Sequence, residues 1–152
     1  GYLPLSCVLV TDDVFATFYD DDVARGFLHS HSYTGNALAC RAALAVLDIF
    51  RDDDVIAVNR EKSERWKRLA EPIAAHPRVR GLRNRGMIFA FDVDGADGGF
   101  ARRFANEALR REVVLRPIGS SVYLMPPYVV TDTEFEWLVE RTLATLDASL
   151  TG

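Results

Sequence analysis

Arg116 is the residue whose surroundings most call for a chemical explanation. It sets a cation between Val113-Val-Leu115 and Val122-Tyr-Leu124, two runs that read as buried strand, and Pro117 and a Gly119-Ser-Ser121 turn follow it. A guanidinium held by such a corner can offer two parallel donors to a carboxylate, which a flexible surface arginine does less well. The return run brings Tyr123 and the corner Met125-Pro-Pro-Tyr128 close by. Residue types alone leave two readings open, a substrate clamp and a strand-end arginine in a water-facing salt bridge.

A second constellation is His29-Ser-His-Ser-Tyr-Thr-Gly-Asn36, in which Ser30, Ser32, Tyr33 and Thr34 crowd ahead of a helix beginning near Gly35-Asn36. Hydroxyls and free N–H groups at a helix amino end can bind an anion, and the same residues also cap ordinary helices. His29 and His31 sit two apart, a spacing compatible with a metal. The only other histidine is His76 and no Cys or Glu lies at useful spacing, so no metal site is assigned. Asp20-Asp-Asp22 and Asp52-Asp-Asp54 lack the spaced oxygen ligands and glycine of a calcium loop and read as solvated turns. Cys7 and Cys40 read as small buried residues; two cysteines in no pattern make neither a disulfide framework nor a zinc site.

Composition bounds the partners. With 152 residues, 49% of them hydrophobic, the chain can build one ordinary core with room for a small sub-domain. Its net charge of −4 and its interleaved acids and bases argue against a nucleic-acid surface and favour a small-molecule or protein partner. No apolar run approaches the roughly 18 residues that span a bilayer, and no signal segment opens the chain, so the expected location is cytoplasmic. Because Gly1 is no natural initiator and residues 2–10 run straight into apolar sequence, the chain is expected to begin inside a domain.

The elements that must position these residues are of α/β type. Leu3 to Val10 reads as a buried strand, and Thr11-Asp-Asp13 as the cap of a short helix. Residues 35–50 read as a helix apolar nearly all round, which must be covered on more than one side. Asp52-Asp-Asp54 favours the start of the next helix, where Val55, Val58, Lys62, Trp66, Leu69 and Ile73 recur at helical spacing until Pro77. Arg78 to Val93 reads as a hairpin broken at Gly86, and Phe100, Phe104, Ala108 and Leu109 as the buried side of a further helix. Two strands then enclose Arg116. Thr131-Asp-Thr-Glu134 is a capping box, and Phe135, Leu138, Val139, Thr142, Leu143, Leu146 and Leu150 give the last helix its stripe. The change of tone near Phe50-Arg-Asp-Asp53 sets a boundary between 1–50 and 51–152.

His29-Ser-His-Ser-Tyr-Thr-Gly-Asn-Ala-Leu-Ala-Cys40 resembles the H-G-x-[ST]-[YF]-x-G-N-P-L-A-C segment of class III (ω-type) aminotransferases. Arg116-Pro117 with Tyr123-Leu-Met-Pro-Pro-Tyr128 resembles the biotin-pathway branch of that family, diaminopelargonate synthase, over nearly the whole chain. The resemblance implies the C-terminal part of a fold-type I pyridoxal-phosphate transferase: residues 1–50 as the end of the large cofactor-binding domain and 51–152 as the small α+β C-terminal domain. It also implies a homodimer with cofactor sites at the subunit interface, and amino transfer from S-adenosylmethionine to 8-amino-7-oxononanoate. By the same resemblance Ser32 contacts the cofactor phosphate of the neighbouring subunit, with His31 beside it, Arg116 binds the substrate carboxylate, and Tyr123 lies near the substrate. Ser30 replaces the family's usual glycine, Ser32 stands where threonine is common, and Ala37 replaces proline. The Ser32 hydroxyl keeps the donor and acceptor that a phosphate contact uses.

Lys62 and Lys67 are the only lysines, both in the charged run Arg60-Glu-Lys-Ser-Glu-Arg-Trp-Lys-Arg68. A solvated, protonated ammonium is a poor candidate for covalent bonding to the cofactor. The resemblance puts that lysine, the ring partners and the pyridinium-pairing carboxylate upstream. The chain is therefore expected to hold no catalytic residue and to be inactive without the missing large domain. Another class III ω-aminotransferase, told apart by its amino donor, and a non-catalytic dimerisation or ligand-binding module, told apart by a gene lacking a lysine-bearing domain before Gly1, remain the alternatives.

Overall fold

Side-chain caps mark where α-helices begin at Thr11, Asn36 and Thr131. In the computed structural model, which describes residues 2–150, Thr11 presents its hydroxyl to the Val14 N–H and opens α1 (Asp12–Phe18). Gly1, on which the reading of a mid-domain start rests, lies outside the described residues. Asn36 opens α2 (Ala37–Asp52) by accepting from the N–H groups of Leu38 and Ala39 at 3.0 and 3.2 Å. Asp54 then takes a left-handed φ of 45°, and α3 (Val55–Leu69) follows. The chain divides into two units, one ending at Val55 and one beginning at Ile56.

The first unit departs from its sequence expectations. Leu3 to Val10 is not a strand, and its apolar residues are exposed, Val8 and Leu9 by 85% and 90%. An apolar run of this kind suits a central strand, but no described residue pairs with its backbone, so no ladder forms. Cys7 is exposed and Cys40 only half-buried, contrary to the reading of both as core, because the cover their neighbours would need is not in this unit. In α2 only Ala39 is buried, while Leu38, Leu44, Val46, Leu47 and Ile49 are exposed.

The second unit has the core. Where α3 was expected to run on towards Pro77, it stops at Leu69 and α4 (Glu71–Ala75) restarts with Pro72 in its first turn. Pro72 has no N–H to continue the helical ladder but fits a new first turn. β1 (Val79–Arg85) and β2 (Ile88–Val93) form the expected hairpin, Arg85 opposite Ile88, with Gly86 at φ 55° supplying the left-handed turn residue. α5 (Phe100–Arg110) buries Phe100, Phe104 and Ala108, whereas Leu109, expected inside, is 60% exposed because it points off that face.

The strand expected before Arg116 is also absent. Glu112 turns left-handed at φ 63°, and the Val113 N–H closes the end of α5 on the Ala108 carbonyl at 3.0 Å instead of entering a ladder. Pro117 contributes no donor either. Only the bridge between Ile118 and Ser121 forms before β3 (Ser121–Leu124), which pairs antiparallel with β2. α6 (Asp132–Leu150) starts as the capping box requires: the Thr131 hydroxyl accepts from the Glu134 N–H, and the Glu134 carboxylate accepts from the Thr131 N–H at 2.7 Å.

The sheet, in the order β1-β2-β3, buries one face. Phe89, Phe91, Val93, Val122 and Leu124 on that face share one core with Trp66 of α3, Phe104 of α5 and Phe135, Val139 and Leu146 of α6. Helices thus cover one side of an antiparallel sheet, and the other side, carrying Arg83, Ala90, Asp92, Ser121 and Tyr123, stays open. No helix among the described residues is long and apolar enough to cross a membrane.

Candidate functional site

The open face of the sheet brings Arg116 and Tyr123 together. Each lies two residues from the bridged pair Ile118 and Ser121, on opposite arms of one turn whose Gly119 is left-handed at φ 59°. Burial alternates along the first arm, with Val113 and Leu115 buried and Val114, Arg116 and Ile118 exposed. Side chains of an extended segment alternate between faces, so Arg116 joins Ser121 and Tyr123 on the open side. Tyr123 is half-buried between buried Val122 and Leu124 and pairs with Ala90, a small residue that leaves space above the sheet.

Arg116 has no hydrogen bond or ion pair with any described residue, so the salt-bridge reading finds no partner for it. The acid of this face is already engaged. Asp92 is gripped by both terminal nitrogens of Arg83, at 2.9 and 3.3 Å, and accepts a hydrogen bond from the Ser121 hydroxyl. That hydroxyl foremost, and then Arg83, hold the Asp92 carboxyl below its ordinary value of 3.8. A carboxylate so satisfied has little left to offer a further cation.

In the first unit the His29–Asn36 loop folds on itself. The His31 N–H donates to the Thr34 hydroxyl at 3.0 Å, and the Tyr33 N–H donates to His31 Nδ1 at 3.2 Å. Asn36 takes two N–H groups of the α2 amino end, so the free-donor anion site expected there is partly self-satisfied. Ser32 is exposed, and its hydroxyl has no partner among the described residues. A cavity of about 810 Å³ opens beside this loop, lined by Leu5, Ser6, His31, Thr34, Asn36 and Leu38. No group of three or more His, Cys, Asp or Glu residues converges among the described residues.

The lysines divide. Lys67 fits the solvated reading, exposed and paired with Glu64 at 2.6 Å. Lys62 does not: it is half-buried and donates to the carbonyls of Tyr128 and Val130 at 2.8 and 2.7 Å. Its place four residues before buried Trp66 is the signal, since residues at that spacing share a helix face whatever their charge, whereas Val58, expected on the same face, is exposed. Beside it the Trp66 indole donates to Asp132 at 2.7 Å, and Arg65 pairs with the same carboxylate at 3.1 Å.

Residues 1–146 match the model of the Aminotransferase class-III family. The chain is 38% identical over 153 residues to the adenosylmethionine-8-amino-7-oxononanoate aminotransferase of Helicobacter pylori, covering 97% of this chain and 35% of that protein. The crystal structure of the enzyme of that name from Methanocaldococcus jannaschii superposes with a TM-score of 0.81 at 26% identity, covering 90% of this chain and 34% of the other. A PLP-bound aminotransferase mutant from Vibrio fluvialis shares the fold, with a TM-score of 0.75 at 22% identity, over 84% of this chain and 30% of that one. The chain spans about a third of the length of the Helicobacter pylori and Methanocaldococcus jannaschii proteins.

Proposed function

The chain belongs to the class-III aminotransferase family, and from that premise we propose that it is the C-terminal third of an enzyme of biotin biosynthesis that moves an amino group from S-adenosylmethionine to 8-amino-7-oxononanoate. The observation that carries this reading is Arg116, an unpaired guanidinium beside Tyr123 on an open sheet face, within a chain so similar to a relative named for those two substrates.

Pyridoxal phosphate is the cofactor the family implies, and when bound it would supply an aldehyde carbon that takes up and releases the amino group and a ring that withdraws electrons. The residues present fit a supporting share of its site. The free Ser32 hydroxyl serves as a phosphate contact, held by a loop that Thr34 and Asn36 order, and His31 borders the same cavity. Arg116 binds the substrate carboxylate and orients the chain of the keto acid, and Tyr123 lies along that chain. Neither lysine suits covalent bonding to the cofactor: Lys67 pairs with Glu64, and Lys62 is spent on two carbonyls. The chain alone is therefore inactive. The complete protein acts as a cytoplasmic homodimer in which Ser32 serves the partner subunit's cofactor.

Amine-donor profiling of the complete protein with 8-amino-7-oxononanoate as acceptor tests the reading. Turnover with S-adenosylmethionine above other donors is expected. Preference for ω-amino acids with no use of S-adenosylmethionine would assign it to another branch of the family.

A further inference from the structure

Lys62 is the residue whose engagement the carboxylate and cofactor roles leave unexplained. A lysine carries three donors and ordinarily keeps them in water, because ordering a long side chain costs entropy. Here the ammonium reaches two main-chain carbonyls 66 and 68 positions along the chain, and lies 5.4 Å from the centre of the Trp66 ring. Trp66 is fully buried and donates to Asp132, whose other oxygen takes Arg65. The segment is thus held from α3 at Tyr128, Val130 and Asp132, every second residue, while the Thr131 N–H is taken by Glu134.

The held segment is the direct continuation of the open face. β3 ends at Leu124, and Met125 lies two residues beyond Tyr123, on the same side of the chain and 65% exposed. Pro126 and Pro127 fix their own backbone angles but supply no N–H to anchor the corner. Pro126 is buried and the Val130 N–H closes on the Pro127 carbonyl at 3.2 Å, while β3 holds the corner at one end and the Lys62 ammonium ties its other end to α3. We infer that Lys62 is a positioning residue for substrate: it fixes the Met125–Tyr128 corner, and so the placement of Tyr123 and Met125 along the aliphatic chain of a keto acid whose carboxylate Arg116 holds. This rests on the reading of Arg116 and Tyr123 as substrate-facing.

The test uses the complete enzyme. Lys62→Met keeps an unbranched stem against Trp66 and removes the donors, and Lys62→Arg returns charge and donors. The methionine variant is expected to raise KM for the keto acid about tenfold with kcat within about twofold and cofactor occupancy unchanged, and the arginine variant to recover most of that loss. Amide exchange should accelerate at residues 128–132 in the methionine variant and not across the remaining core. A fall in kcat at constant KM, equal behaviour of the two variants, or unaltered exchange at 128–132 would overturn the inference. A wild-type enzyme that rejects 8-amino-7-oxononanoate but accepts another keto acid overturns the substrate assignment alone, and KM for that acid then decides on Lys62. Wild-type protein without turnover on any keto acid overturns both.

Discussion

Trp66 and Phe135 stack face to face, ring centres 4.0 Å apart and planes 6° from parallel, and so join α3 to α6 at the centre of the second unit. Both rings are fully buried, and the Trp66 indole edge is fastened to Asp132 at the start of α6. Trp66→Ala is expected to cost about 3–5 kcal/mol by transfer and cavity effects, enough to abolish most of the stability of a small domain. Trp66→Phe keeps one aromatic ring for the stack and loses the donor and part of the buried indole, at about 1–2 kcal/mol. Denaturant unfolding followed by near-UV dichroism checks the order; equal losses in the two variants would show that the stack contributes little.

Acid should destabilise this unit through its partnered carboxylates. The Trp66 hydrogen bond foremost, and then Arg65, hold Asp132 below its ordinary value of 3.8, and the Thr131 backbone N–H does the same for Glu134. Asp92 is lowered likewise. A depressed carboxyl stabilises the fold fully above its unfolded value and loses that contribution as pH falls through the folded one. Tm is therefore expected to be flat from about pH 7 to 5 and to fall below about pH 4, with Asp132→Asn removing part of the slope. A wild-type slope indistinguishable from that of Asp132→Asn would place the linkage elsewhere.

Arg116→Ala in the complete enzyme is expected to lower kcat/KM for the keto acid by about 2–3 kcal/mol, the loss of a charge-assisted pair, while leaving cofactor binding intact. Arg116→Lys should recover less than half, because an ammonium cannot offer the parallel fork. Unchanged kinetics in the alanine variant would return Arg116 to an ordinary surface role.

Ser32 can be tested by subunit mixing. Heterodimers that pair a Ser32→Ala subunit with one lacking the covalent lysine are expected to retain cofactor at the wild-type level at the lysine-bearing site, because that site receives the intact Ser32 of the lysine-deficient subunit. Weakened retention at that site would show that Ser32 serves its own subunit and would remove the cross-subunit role.

What could be read in the sequence follows from which interactions are local. The capping box at Thr131 and Glu134, the hairpin at Gly86 and the cap at Asn36 are each closed by residues within three positions, so residue type and spacing carry them. The break at Pro72 is legible from its missing N–H, although the apolar spacing runs on past it towards Pro77. The engagement of Lys62 is hidden in the sequence because its partners lie 66 and 68 residues away and its charge points to water where its helical register points inward. The loss of a strand before Arg116 hangs on Val113 spending its N–H on Ala108, a choice between two acceptors that no pattern of apolar residues records. The Leu3–Val10 segment was read by its apolar content, but a strand exists only through the neighbour that completes its hydrogen bonds.

The same reasoning sets the last expectation, for the 152-residue chain studied alone. Residues 56–150 bury Trp66, Phe89, Phe91, Phe100, Phe104 and Phe135 almost completely, and each fully buried apolar side chain contributes about 1.5–3 kcal/mol. The first unit buries only Ala39 of α2 and leaves Leu38 at 76% and Leu47 at 63% exposure, alongside Val8 and Leu9. A helix with apolar residues on several sides needs cover on several sides, and an uncovered surface of that kind recruits other copies. The chain is expected to self-associate through residues 3–10 and 37–52, with fast amide exchange there and slow exchange in β2, α5 and α6. Sedimentation and hydrogen exchange on the same sample check both halves. A monodisperse monomer with residues 37–52 strongly protected would mean that the first unit finds its cover within the chain, and the C-terminal-third reading would lose its physical support.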